Sequence, residues 1–255
     1  MKSNRLKAAA PSLVTSGNLV IGLVSIALAA SGHFEGAAWA IVYCGILDKA
    51  DGSLARALNV QGAFGMEMDS FADYTSFGLA PAALCWFLCW SRAAGSADLP
   101  AWIVAWFAIC AVAFPVSAAV RLARFNVMTH EDPSFFTGVP TTMVAGLYAT
   151  LYLSLVDLHD PVDPLWVMPP AAVAAAALMV CGIRIPKLKG KRQRWKNVLL
   201  VSTLLLLAVL AVFQMLPELM FAMGSLYLLV GSLKARGAGG QGPGLGVSSA
   251  PGGDA

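Results

Sequence analysis

Four aspartates, Asp48, Asp51, Asp69 and Asp73, fall within the stretch DKADGSLARALNVQGAFGMEMDSFAD. On a helix advancing about 100° per residue, Asp48 and Asp51 share one face. Gly52 and Ala55 continue that face with minimal side chains, and Arg56 lies just beyond. Gly65, Asp69 and Asp73 then recur every four residues, which places them on one face of a second helix. Glu67 lies off that face. If the two helices run antiparallel through a short turn, their four carboxylates converge. Four carboxylates cannot all stay ionised side by side in a low dielectric. Arg56 and Lys49 are too few to neutralise them, so hard divalent cations with oxygen ligands are the natural partners. Two such ions about 3.5–4 Å apart form a clamp suited to displacement at phosphorus. The competing readings are a salt-bridge network between helices and the lining of a cation transporter. A transporter would spread acids through the depth of the membrane, whereas these sit at one end.

The elements that position these residues are apolar helices. The chain has 255 residues, 58% hydrophobic and 12% charged, with mean hydropathy +0.71. A soluble domain carries about 25% charged residues. Apolar runs of about 20 residues recur along the chain, as spanning helices require. About eight spans are expected, near 12–31, 35–58, 64–90, 100–126, 139–156, 164–183, 197–215 and 217–233, the last two parted by a tight turn at Pro217. The expected fold class is therefore all-α, a polytopic helical membrane bundle. The basic start of the chain resembles a signal peptide, but the apolar stretch is long enough to span and is read as a retained first helix.

Lysine and arginine favour the cytoplasmic side. With the N-terminus inside, Lys2, Arg5, Lys7, Lys49, Arg56, Arg121, Arg124, the run RIPKLKGKRQRWK, Lys234 and Arg236 all fall inside. The outer loops keep only Arg92 of 17 basic residues. An even number of spans puts both termini, and the aspartates, on the cytoplasmic side of the inner membrane. The basic run from Arg184 to Lys196 is read as topological bias and attraction to anionic headgroups, or as help in gathering an anionic lipid substrate. Cys44, Cys85, Cys89, Cys110 and Cys181 form no C-x-x-C pair and indicate neither a zinc site nor a disulfide framework. His33, His130 and His159 are scattered in loops and indicate no metal site. The tail from Gly237 is Gly-rich and almost uncharged, with no phosphate-loop context, and is expected to be disordered. No nucleic-acid partner is expected.

The pattern D-x-x-D-G-x-x-A-R, eight residues, G-x-x-x-D-x-x-x-D resembles the signature of the CDP-alcohol phosphotransferase family at every specified position. The resemblance implies a membrane enzyme with a six-helix catalytic core. Such an enzyme transfers a phosphatidyl-type group from a CDP-linked lipid to an alcohol and releases CMP. It implies two divalent cations, Mg²⁺ or Mn²⁺, held by Asp48, Asp51, Asp69 and Asp73, with Asp73 also the general base. It further implies nucleotide or lipid contacts at Gly52, Ala55, Arg56 and Gly65, and a homodimer. Expected boundaries are a cytoplasmic segment at 1–10, a catalytic membrane domain at 11–190, a basic loop with two further spans at 191–236, and the tail at 237–255.

Further stretches resemble the serine-using branch of that family. These are DSFADYTSFGLAPA (69–82), RLARFNV (121–127), FFTGVP (135–140), PSLVTSGNLVIG (11–22) and IRIPKLKG (183–190). They imply CDP-diacylglycerol as donor and L-serine as acceptor, with glycerol 3-phosphate or inositol phosphate as the rival acceptors. Arg121 and Arg124, three apart at an inner helix end, can bind the carboxylate of an amino acid or simply anchor the helix. Asn126 and Ser76 are further candidates for the acceptor pocket. Thr15 and Asn18, three apart in the first helix, can contact the CDP-lipid or bond between helices.

Overall fold

In a computed structural model the described residues are 2–58, 63–94, 100–128, 135–157, 163–181, 184–186, 209–211 and 213–238, with backbone alone at 2–13, 50–58, 63, 128, 135–137, 184–186 and 231–238. Helices dominate: α1 (Lys2–Ala30), α2 (Phe34–Leu58), α3 (Ala63–Tyr74), α4 (Ala80–Ala94), α5 (Ala101–Met128), α6 (Thr141–Asp157), α7 (Pro164–Val180) and α8 (Pro217–Ala238). Seven of the expected segments coincide with these helices. The segment 197–215 lies largely outside the described residues. The first helix begins earlier than the expected span, because residues 2–10, KSNRLKAAA, continue the helical backbone.

α3 and α4 form one continuous rod through a π-helical stretch, Thr75–Leu79, whose flanking residues Tyr74 and Ala80 both keep helical dihedrals. A π turn inserts a residue into the α-helical ladder, and such turns are frequent at functional sites. Here it rotates the residues after Asp73 relative to those before it.

One departure from an all-α fold is a short antiparallel ribbon, β1 (Phe135–Thr137) with β2 (Arg184–Pro186), pairing Phe136 with Ile185. It joins two of the loop motifs singled out above. The ribbon provides backbone partners for segments that leave α5 and α7 without continuing as helix.

α1 packs on α2 and on the α3–α4 rod. α2 packs in turn on α6, α5 on α4 and α7, and α6 on α7 and α8. The shared core contains Ala37, Ala38 and Ile41 of α2, Phe77 and Leu84 of the rod, Phe114 of α5 and Ala145 and Ala149 of α6. Small residues let helices approach closely where lipid supplies no hydrophobic drive between them. Tyr148 sits fully inside this core, its ring 5.3 Å from that of Phe114. Its hydroxyl donates to the Met168 carbonyl at 3.2 Å, as a buried phenol requires.

The outside is apolar as well. Trp102, Trp106, Ile109, Val112, Val116 and Val120 of α5 are all exposed, a stripe no water-soluble surface would carry. Phe64–Ala94 and Ala101–Val127 are long and apolar enough to cross a membrane, and Val14–Ala30, Pro164–Val180 and Pro217–Val230 are shorter apolar helices. The protein is a membrane protein. The two ends of the bundle differ. One end gathers Asp48, Asp69, Arg121 and Thr142. The other carries Trp90, Trp102 and Trp166, exposed like the aromatic belts of membrane interfaces. There Arg92 pairs with Asp163 at 4.0 Å, and Asp163 caps α7 by accepting from Leu165 N at 3.0 Å, with Pro164 at the first helical position.

Candidate active site

Asp48 lies in the C-terminal half of α2, nearly three turns before its end at Leu58, and Asp69 and Asp73 lie one turn apart on α3. One carboxylate oxygen from each falls within 4.8 Å of the other two. The expected convergence from two helices is therefore present for three of the four aspartates. Asp51, Gly52, Ala55 and Arg56 follow Asp48 on the last turns of α2, and their side chains lie outside the described residues. Gly65 is one turn before Asp69, and a methyl group built on it would meet nothing within 4 Å among the described residues. Space beside the carboxylates is what a slot for a nucleotide needs.

The three carboxylates differ in their protein partners. Asp48 Oδ2 accepts from Lys49 Nζ at 3.1 Å and from Thr142 Oγ1 of α6 at 3.2 Å. Asp73 Oδ1 is buried with no hydrogen-bond partner among the described residues. A buried acceptor left unmade costs about 1–3 kcal/mol or more if charged. Oxygen ligands lie about 2.0–2.6 Å from Mg²⁺ or Ca²⁺, so two ligands of one ion stand at most about 5 Å apart. The spacing of Asp48, Asp69 and Asp73 meets that limit, the donor set is all oxygen, and Asp73 Oδ1 is the orphaned atom a cation would satisfy. The residues fit a divalent cation.

Arg121 and Arg124 share a helix face but not a task. Arg121 is within electrostatic range of Asp73 and Asp48. Its Nη1 donates to Thr141 Oγ1 at 3.2 Å, while its buried Nε has no partner among the described residues. Its guanidinium stands 5.8 Å from the centre of the Phe125 ring. Arg124 is exposed, and its Nη1 reaches the Val180 carbonyl at 3.4 Å, where a cation complements a helix C-terminus. Asn126 Nδ2 donates to Ser70 Oγ at 3.1 Å, tying the end of α5 to the residue after Asp69.

Asn18 is fully buried, with neither amide atom partnered among the described residues. Its backbone carbonyl accepts from Ser76 Oγ at 3.1 Å and from Cys44 Sγ at 3.5 Å. Ser76 thus hydrogen-bonds α1 and locks the π turn to it. Thr15, one turn before Asn18, is buried too. Sequence reasoning missed Thr141 and Thr142, which hold Arg121 and Asp48. Their one signal is the tandem directly after the FFTGVP motif.

Fold and site together define an integral membrane protein with three converging aspartates, fit for a divalent cation, at one end of a helical bundle. The chain belongs to the CDP-alcohol phosphatidyltransferase family, whose profile matches residues 8–231. It is a transferase of phospholipid synthesis, from a family generally dependent on divalent cations. It is 33% identical over 228 residues to the CDP-diacylglycerol–serine O-phosphatidyltransferase of Helicobacter pylori strain 26695, covering 88% of this chain and 90% of the relative. It is 28% identical over 180 residues to the enzyme of that name in Bacillus subtilis, covering 70% and 90%. The archaetidylserine synthase of Methanothermobacter thermautotrophicus is 29% identical over 185 residues, covering 71% of each chain.

Proposed function

We propose that the protein is a phosphatidylserine synthase, which converts CDP-diacylglycerol and L-serine to phosphatidylserine and CMP. The observation that carries this reading is Asp73, a buried carboxylate with an orphaned oxygen, held within 4.8 Å of two other aspartates and facing the charge of Arg121. The names of the relatives agree on serine as the headgroup.

In this reading Asp48, Asp51, Asp69 and Asp73 hold two divalent cations, Mg²⁺ or Mn²⁺, which offset charge on the pyrophosphate when bound. Arg56 adds a guanidinium to the pyrophosphate, and Gly52, Ala55 and Gly65 leave room for the nucleotide. Thr15 and Asn18 line the donor side from α1. Arg121 holds the serine carboxylate and so points its hydroxyl toward Asp73. The Asp73 carboxylate takes the hydroxyl proton as the serine oxygen bonds to the lipid-side phosphorus. The bond from that phosphorus to the bridging oxygen breaks, and CMP leaves with the electron pair. Alignment of the two substrates supplies much of the rate, because a bimolecular step becomes effectively intramolecular.

The site faces the cytoplasm in this reading, with about eight spans and both termini inside the inner membrane. The homodimer implied by the family is part of the same reading, and the mass of the detergent-solubilised protein tests it. A cation path is disfavoured because the described core beyond Asp73 is closed by Phe77, Leu84 and Phe114, all fully buried.

The acceptor is tested by supplying membranes with CDP-diacylglycerol and labelled serine, glycerol 3-phosphate or inositol phosphate in turn. Label should enter lipid from serine alone. Incorporation of a phosphorylated alcohol in its place would overturn the serine assignment and leave the family chemistry standing.

A further inference from the structure

The start of α6 is held unusually firmly. β1 pairs with β2 just before it. Gly138 then adopts φ +80°, and a methyl group there would stand 2.5 Å from the Met179 carbonyl oxygen. Val139 N donates to the Leu178 carbonyl at 3.3 Å, and Met143 N and Val144 N both donate to the Pro140 carbonyl at 3.1 Å. The FFTGVP motif thereby fixes the first turn of α6 against the end of α7.

That turn presents Thr141 and Thr142. Thr141 is fully buried, and its hydroxyl receives Arg121 Nη1 at 3.2 Å. Thr142 approaches α2 where Gly45 leaves space, with its methyl carbon 3.6 Å from where a Gly45 Cβ would be. One turn further along α2, its hydroxyl donates to Asp48 Oδ2 at 3.2 Å. Adjacent residues therefore grip a carboxylate of the cation site and the guanidinium beside it.

We propose that Thr141 and Thr142 are positioning residues that set the cation site and the acceptor pocket in register, Thr142 by orienting Asp48 and Thr141 by orienting Arg121. The inference rests on the phosphatidylserine synthase reading for its acceptor half. Its cation half needs only a divalent ion at Asp48. Partners that orient ligating carboxylates are commonly worth about 10–100-fold in metal affinity or activity. A guanidinium that has lost its hydrogen-bonded support wanders among rotamers and binds a carboxylate less well.

The test uses the purified full-length protein with Thr142→Val and Thr141→Val, which keep shape and remove the hydroxyl, and with the serine variant at each position. Mn²⁺ binding is followed directly by electron paramagnetic resonance without lipid substrate, and the KM for serine is measured at saturating metal. Thr142→Val should weaken Mn²⁺ binding about 10-fold or more with the serine KM unchanged. Thr141→Val should raise the serine KM by about 10-fold with Mn²⁺ binding unchanged. Each serine variant should restore the affected parameter. The proposal is overturned if both valine variants only lower the melting temperature or kcat, or if Thr142→Val binds Mn²⁺ as the wild type does. If the wild type binds Mn²⁺ yet takes no serine, the serine reading and the Thr141 half fall together, while Thr142→Val still decides the cation half.

Discussion

Replacing Gly22 with alanine tests how tightly α1 holds the π turn that follows Asp73. The added methyl group would stand 2.5 Å from Ser76 Oγ, 3.1 Å from the Ser76 α-carbon and 3.2 Å from its β-carbon. The hydroxyl can rotate away, but it then gives up its 3.1 Å bond to the Asn18 carbonyl, a loss of about 1 kcal/mol. The α-carbon is part of the backbone, so side-chain rotation does not relieve the clash there. α1 or the π turn must yield by a few tenths of an ångström, and overpacking of this kind costs about 1–3 kcal/mol. The two terms together give about 2–4 kcal/mol, read as a melting temperature several degrees lower in detergent. Asp73 is three residues before Ser76 on the same rod, so the shift reaches the proposed proton acceptor. A misplacement near 1 Å costs about 10²-fold in rate, and a shift of a few tenths should lower kcat by roughly 10-fold. In a Ser76→Ala background the hydrogen bond is already gone, so Gly22→Ala should cost about 1 kcal/mol less there than alone. Thermal unfolding and CMP release on the two single variants and the double variant measure all of this. Strict additivity, or a Gly22→Ala protein matching the wild type in stability and kcat, would refute the tight packing of α1 on Ser76.

Asp73→Asn keeps the shape and removes the proposed proton acceptor, so CMP release should fall by about 10²–10⁴-fold with the melting temperature little changed. Arg121→Gln should raise the serine KM by about 10-fold or more. Arg124→Gln should leave that KM alone and cost about 0.3–1 kcal/mol of stability, since Arg124 caps α7 at Val180. Gly138→Ala forces a side chain into the left-handed region, costing about 1–2 kcal/mol, and against the Met179 carbonyl. It should lower folded yield and melting temperature more than Gly65→Ala, which meets nothing within 4 Å among the described residues.

Helix positions were legible in the sequence because apolar runs broken by Gly, Pro and charge mark where lipid ends. The gathering of Asp48, Asp69 and Asp73 was also legible, since spacings of three and four fix a face on each helix and the short link between the two helices brings those faces together. Other features had no local signal. The π turn at Thr75–Leu79 changes register by one residue without changing composition, so the bond of Ser76 to Asn18 could not be read from spacing. Arg121 and Arg124 look alike by periodicity, and only the elements opposite them, the threonine of α6 and the carbonyl of α7, assign different tasks. The Thr142–Asp48 bond joins residues 94 apart in the chain. Bonds of that range depend on how helices pack, which periodicity does not encode. The β1–β2 ribbon is too short to show an alternating pattern.

The most direct measurement supplies the purified protein with CDP-diacylglycerol, labelled L-serine and Mg²⁺ or Mn²⁺ in mixed micelles, and counts both products. Phosphatidylserine and CMP should appear in equal amounts, be lost on chelation and recover when the divalent ion is returned. CMP release without label in lipid, or serine incorporation undiminished by exhaustive chelation, would contradict a cation-dependent phosphatidylserine synthase.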